Sequence, residues 1–238
     1  MYKDFGGVFL GTALRQTSMT FGGMRDVFVK LQGVKNDLVS PTFGGQLKNP
    51  FPGFAKIFAG DLFEFRLDDK GENPEVYLLK TYEVAKETSD TTVFIVRDGY
   101  RHIPFVGDKL MKAPEAFGTA GTAYTVTAVE ETVDESKDVW KLTLNTALGS
   151  LTAGDVLVEA DKEHASEAKM LVQNVNAVAP CDYDIFGQPS TGKTDEFEKT
   201  RYYLTPALHG TMYISKMSPM PAVVKALNKS RVNGWYEL

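Results

Sequence analysis

The chain has 238 residues, 43% of them hydrophobic and 24% charged, which is enough to bury at least one core in one or two domains and excludes wholesale disorder. With 21 Gly, 11 Pro, 15 Phe and 10 Tyr it leans toward strands and loops rather than a helical bundle, and a single Cys181 with scattered His102, His164 and His209 excludes a disulfide-stapled fold or a structural zinc module. The net charge of −5 divides into +4 over residues 1–60, −12 over 61–186 and +3 over 187–238, an acidic centre between basic ends that suit an acidic neighbour, though neither end clusters Lys and Arg densely enough to track nucleic-acid phosphates.

The opening Met-Tyr-Lys-Asp-Phe-Gly-Gly lacks an apolar signal region, and nowhere do eighteen apolar residues run together. The expectation is a soluble protein made in a cytoplasm, with no membrane partner. Three triplets then punctuate the first 58 residues, Phe5-Gly6-Gly7, Phe21-Gly22-Gly23 and Phe43-Gly44-Gly45, followed by Asn49-Pro50-Phe51-Pro52-Gly53-Phe54. Glycine frees the backbone for turns, while phenylalanine demands apolar burial that so loop-like a segment hardly supplies itself. Residues 1–58 therefore read as an extended arm, with one short strand over 27–31. Its anchors Phe5, Phe21, Phe43, Phe51 and Phe54 dock either on the body of the same chain or on another chain.

From residue 59 short apolar runs alternate with turn residues, predicting strands over 62–67, 76–84, 92–96, 123–129, 139–144 and 156–160. Strands of this length and spacing predict a mainly β fold, a small antiparallel barrel or sandwich, as the body over 59–160. Within it Gly60-Asp61, Gly107-Asp108 and Gly154-Asp155 recur at a constant spacing of 47 residues. The same shift aligns Tyr77 with Tyr124, Glu83 with Glu130 and Ser89 with Ser136. Each dipeptide is expected to make a turn that launches a strand. An internal duplication and independent reuse of a favoured turn both account for the period.

Residues 161–238 read as a C-terminal α+β extension. The charged run 161–170 predicts a short helix or an exposed loop, and 173–180 looks extended. Strands are expected over 201–204 and 211–215, with a short helix over 221–228 that has Pro221 near its first turn. The aromatic tail, with Trp235 and Tyr236, is expected to pack on something. Met212, Met217 and Met220 serve either a contact surface or core gap-filling.

Gly187-Gln-Pro-Ser-Thr-Gly192-Lys193-Thr194 satisfies the phosphate-loop pattern residue for residue. A working loop needs a buried strand before it and a helix starting at the lysine. Here the lead-in Cys181-Asp-Tyr-Asp-Ile-Phe is polar at alternate positions, and only 44 residues follow Thr194. The match is read as a turn-rich decoy, and no cofactor is expected. Asp182 and Asp184, two apart on a predicted strand, share a face that would suit acid–base work or a hard cation, although paired surface carboxylates are commoner. His102 and His164 have no visible nucleophile to activate.

The arm, the Gly-Asp β units and Leu151-Thr-Ala-Gly-Asp-Val-Leu-Val-Glu-Ala leading to Val175-Asn-Ala-Val-Ala-Pro resemble, over roughly residues 59–186, virion structural proteins of tailed phages. The likeness is greatest to capsid auxiliary or decoration proteins of phages infecting Bacteroidetes, including the crAss-like group. The resemblance implies a non-enzymatic protein present in many copies on a virion, bound to major capsid protein and to neighbouring copies of itself. Phe5, Phe21, Phe43, Phe51, Phe54, Trp235 and Tyr236 are the candidate interface. The alternatives are another virion β module, such as a tail, head-fibre or carbohydrate-binding component, and a nucleotide hydrolase using Lys193 and Thr194.

Overall fold

The computed structural model describes residues 44–52, 54–99, 101–186, 202–206, 212–213, 217–228 and 235–236. The chain runs through β1 (Gly45–Leu47), β2 (Phe54–Ile57), β3 (Leu62–Leu67), β4 (Pro74–Leu78), β5 (Thr81–Glu83), β6 (Thr92–Val96), β7 (Lys109–Lys112) and β8 (Gly121–Asp134). It continues through β9 (Lys137–Leu144), β10 (Val156–Glu159), β11 (His164–Ala168), β12 (Ala177–Val178), β13 (Tyr183–Phe186), β14 (Tyr203–Leu204), β15 (Met212–Tyr213), a helix α1 (Ala222–Asn228) and β16 (Trp235–Tyr236). The protein is mainly β, as its composition requires.

Six strands in the order β5-β10-β7-β8-β9-β6 form one sheet in which every neighbour is antiparallel, and β11 joins it along β8. The sheet curls like a barrel. Its outer strands approach each other at an antiparallel bridge, Val84 to Ile95, where Ala85 N–H donates to the Phe94 carbonyl at 2.7 Å. Alternation along β6 points Val93 and Ile95 inward, where they meet Tyr82, Leu110, Val126, Leu142, Leu151 and Leu157 in a closed apolar core.

A second, mixed sheet has the order β12-β3-β4-β1-β14, parallel only between β1 and β4. Its core gathers Leu47, Phe51, Ile57, Phe63, Val76, Leu78 and Ile185. A third cluster contains Leu62, Met111, Val158, Met170, Val178, Met220, Val223 and Val224, and so joins both sheets to α1. That helix begins where expected: Val224 N–H and Lys225 N–H both donate to the Pro221 carbonyl, and proline suits a first turn because its own N–H would have no partner there.

Three expectations need correction. Residues 44–58 are not arm: β1 pairs with β4 and β14, and β2 pairs with β13. Gly44 and Gly45 serve close approach there rather than turns, since a Cβ would lie 2.6 Å from the Leu204 carbonyl oxygen and 2.6 Å from Val76 Cγ2 respectively. Within the charged run 161–170, His164–Ala168 is a strand, because the edge of β8 offers a hydrogen-bonding partner that local sequence does not reveal. The sheets also cross the expected boundary at residue 160, as β12 and β14 complete the second sheet.

Candidate functional site

The three Gly-Asp dipeptides fold into one turn used three times. In Phe58–Asp61, Phe105–Asp108 and Thr152–Asp155 the aspartate N–H donates to the carbonyl of the first residue, at 2.9, 3.1 and 3.0 Å. Its Oδ2 accepts that residue's N–H in return, at 2.7, 3.0 and 2.8 Å. The glycines take φ of 89°, 98° and 88°, which any residue with a Cβ resists. A paired strand grips each turn identically: Gly60, Gly107 and Gly154 donate to the carbonyls of Ala179, Val126 and Val84, whose own N–H groups donate to Asp61, Asp108 and Asp155.

This geometry aims each carboxylate at a different neighbour. Asp155 Oδ2 meets Lys112 Nζ at 2.8 Å near the surface; burial pushes the Asp155 carboxyl up, but Lys112 and the Thr152 donors together outweigh it and hold the group below its ordinary range. Asp61 Oδ2 meets His102 Nε2 at 3.1 Å, and Asp61 Oδ1 accepts from Ser218 Oγ at 2.8 Å. Since His102 Nδ1 accepts the Thr81 N–H at 3.0 Å, its proton sits on Nε2 and is donated to Asp61. The aspartate therefore stands between serine and histidine, an order that does not pass a proton from Ser218 to the imidazole.

Asp108 carries the densest constellation. Lys80 Nζ, with its side chain 1% exposed, lies 3.1 Å from Asp108 Oδ1, 3.4 Å from Glu159 Oε2 and 3.2 Å from the Pro50 carbonyl. Phe105 N–H and Tyr82 Oη–H donate to Asp108 Oδ2 at 3.0 and 3.1 Å. Asn49 Nδ2 donates to Glu159 Oε2 at 2.8 Å. The ammonium lies 4.6 Å from the Phe51 ring centre and 6.0 Å from that of Phe105. Burial pushes the Glu159 carboxyl up despite Lys80 beside it. Burial pulls the Lys80 ammonium down, but Asp108 and Glu159 outweigh it and raise the group above an ordinary lysine. Burial, then the two carboxylates, also raise the Tyr82 phenol well above its usual value.

Among the described residues, Phe51 and Phe54 of the expected interface differ sharply in burial. Phe51 is 3% exposed and packs edge-on against Phe105 at 6.2 Å, so this ring belongs to the chain's own core and is corrected from partner contact to core. Phe54, 52% exposed on β2, presents an apolar surface. Trp235 and Tyr236 pair through their backbones, in parallel, with Met212 and Tyr213. Phe5, Phe21, Phe43, Gly187, Gly192, Lys193 and Thr194 lie outside the described residues. The strand leading toward the phosphate-loop pattern, β13, pairs antiparallel with β2. Asp182 and Asp184 bracket Lys56 Nζ at 3.6 and 3.9 Å, and Asp182 Oδ1 also accepts the Ala59 N–H. Met217 and Met220 fill the third core cluster.

Lys80, Asn49 and Glu159 escaped sequence reading. The trace of Lys80 and Glu159 is a lone polar residue closing an apolar run, in Tyr77-Leu-Leu-Lys80 and Val156-Leu-Val-Glu159, while Asn49, in Lys48-Asn49-Pro50, leaves none. A shallow cleft of about 400 Å³ lies among Lys86, Thr88, Asp90, Phe94 and Ser150, where Lys86 is held by Asp134 at 2.8 Å. Among the described residues no group of three or more His, Cys, Asp or Glu side chains could hold a metal ion, and no helix is long and apolar enough to cross a membrane. Comparison of the chain with protein families, with characterised proteins and with solved structures finds no match.

Proposed function

We propose that the chain is a non-enzymatic structural protein of a tailed-phage virion, an auxiliary capsid protein that binds major capsid protein and neighbouring copies of itself. The observation that carries this reading is the segregation of side chains in the body. Its buried ionisable groups face one another inside the protein, whereas Phe54, Leu67, Val133 and Tyr203 lie more than half exposed on strands. Apolar side chains on rigid strands suit a docking surface. The Phe residues of the N-terminal triplets and the basic ends add apolar anchors and charge complementarity, and many copies on one shell multiply weak contacts into avidity.

The test is co-sedimentation with expanded shells of major capsid protein, followed by cryo-electron microscopy of the pellet. Saturable binding at fixed lattice positions is expected, weakened by Phe54→Ser and by serine at Phe5, Phe21 and Phe43 together. No binding to shells overturns the reading. ATP binding abolished by Lys193→Ala would replace it with the nucleotide-binding alternative.

A further inference from the structure

We infer that Lys80 and Asp108 are the two halves of a self-forming intramolecular isopeptide bond, with Glu159 as proton carrier and Phe105 N–H and Tyr82 Oη–H as oxyanion donors. The inference is independent of the capsid reading and concerns only the body of this chain.

The geometry assigns each atom a part. Lys80 Nζ faces Asp108 Oδ1 at 3.1 Å beside Phe51, Phe105 and Tyr82, with both side chains almost wholly buried. The first step passes one proton from the ammonium along this contact to Oδ1, leaving a free amine beside a carboxylic acid. The two donors on Oδ2, at 3.0 and 3.1 Å, mark it as the oxygen that stays and becomes the oxyanion as nitrogen adds to Cγ. Oδ1, nearest the amine, is the oxygen that leaves.

Glu159 Oε2, 3.4 Å from Nζ, takes the second proton from the attacking nitrogen and returns it to the departing oxygen. Asn49 Nδ2, 2.8 Å from the same Oε2, fixes that carboxyl in place. Burial raises the proton affinity of the Glu159 carboxylate, which suits a base that accepts a proton from nitrogen and holds it until the oxygen departs. The step balances without any co-reactant: an ammonium and a carboxylate become one amide and one water. The Nζ–Cγ bond forms, the Cγ–Oδ1 bond breaks, and both protons shed by nitrogen leave on Oδ1. A pocket that excludes water then protects the amide from hydrolysis.

The bond would join residues 28 apart and enclose β5 and β6 in a covalent loop. It would sit where the chain passes from the second sheet into the curled one, fixing the junction against force.

Intact mass spectrometry of the purified full chain tests this directly. The expected mass falls one water short of the sequence, and a denatured tryptic digest contains a branched peptide joining Lys80 to Asp108, with no cleavage after Lys80. Lys80→Arg and Glu159→Gln are expected to keep the full sequence mass while retaining the wild-type circular dichroism. Tyr82→Phe, which removes one oxyanion donor, slows bond formation after cell-free synthesis by about 10²-fold. A wild-type mass equal to the sequence, with normal cleavage after Lys80, overturns the inference even if every variant fails to fold. A crosslink mapped to other residues also overturns it, and full crosslinking in Glu159→Gln removes the glutamate's role.

Discussion

Asn49 is fully buried and substitutes for a strand residue: its Oδ1 accepts the Leu78 N–H at 2.5 Å, and its Nδ2 donates to the Leu78 carbonyl at 2.9 Å. Asn49→Ala leaves both backbone groups of Leu78 without these partners in the core, an expected loss of about 2–4 kcal/mol in urea unfolding. Asp155 supplies a pH test of the repeated turn. Its folded pKa lies below the unfolded value, so its contribution is present above the ordinary carboxylate range and is lost as pH falls through the depressed folded value. Asp155→Ala should therefore cost about 1–2 kcal/mol at neutral pH, and the gap from wild type should shrink as the medium is acidified below pH ~4. The aspartates were legible in sequence because a Gly-Asp turn is a local device with a local signature. Lys80 and Glu159 were not, since a buried ion pair declares itself only when strands 28 and more residues apart are brought together.

At the scale of elements, the β8–β9 hairpin turns on Glu135 and Ser136, with φ of 46° and 65°. Two consecutive left-handed residues define the turn type that Asn-Gly adopts most readily, and here two other residues bear its cost. Replacing Glu135-Ser136 by Asn-Gly is expected to stabilise the protein by about 1–2 kcal/mol, read as a higher urea midpoint with unchanged slope. Glycine acts oppositely in β1. A Cβ at Gly45 would meet the stiff Val76 side chain at 2.6 Å, so Gly45→Ala should cost about 1–3 kcal/mol, whereas Gly99→Ala, with open space around it, should be near neutral. Thermal melts of the two variants side by side check the contrast. Strands with clear alternation, such as β6 and β9, were legible. The strands β1, β2 and β11 were hidden because they are only three to five residues long and sit among glycine, proline and charged neighbours, and only the open edges of β4, β13 and β8 make them strands.

For the whole molecule, what matters is whether the two sheets behave as one folding unit. The third core cluster places Leu62 of β3 beside Met111 of β7 and Val158 of β10, so neither sheet completes its apolar surface alone. The Lys80 cluster reinforces this, because it draws on the segment after β1, the β4–β5 link, the turn before β7 and the end of β10. Separating the sheets would pull the Lys80 cluster apart and expose the methionine-rich seam together, a loss large enough to couple the two unfolding events. A Trp235→Phe background leaves Trp140 on β9 as the sole indole, a reporter for the curled sheet. Amide exchange at Phe63 and Phe65 reports the second sheet, since both lie in β3. Fluorescence and exchange measured across one urea series should give coincident midpoints. Val158→Ala, which hollows the shared seam, should lower both midpoints equally at a cost of about 1–3 kcal/mol. A curled sheet that melts while β3 stays protected would mean that the seam is an interface between two independent domains.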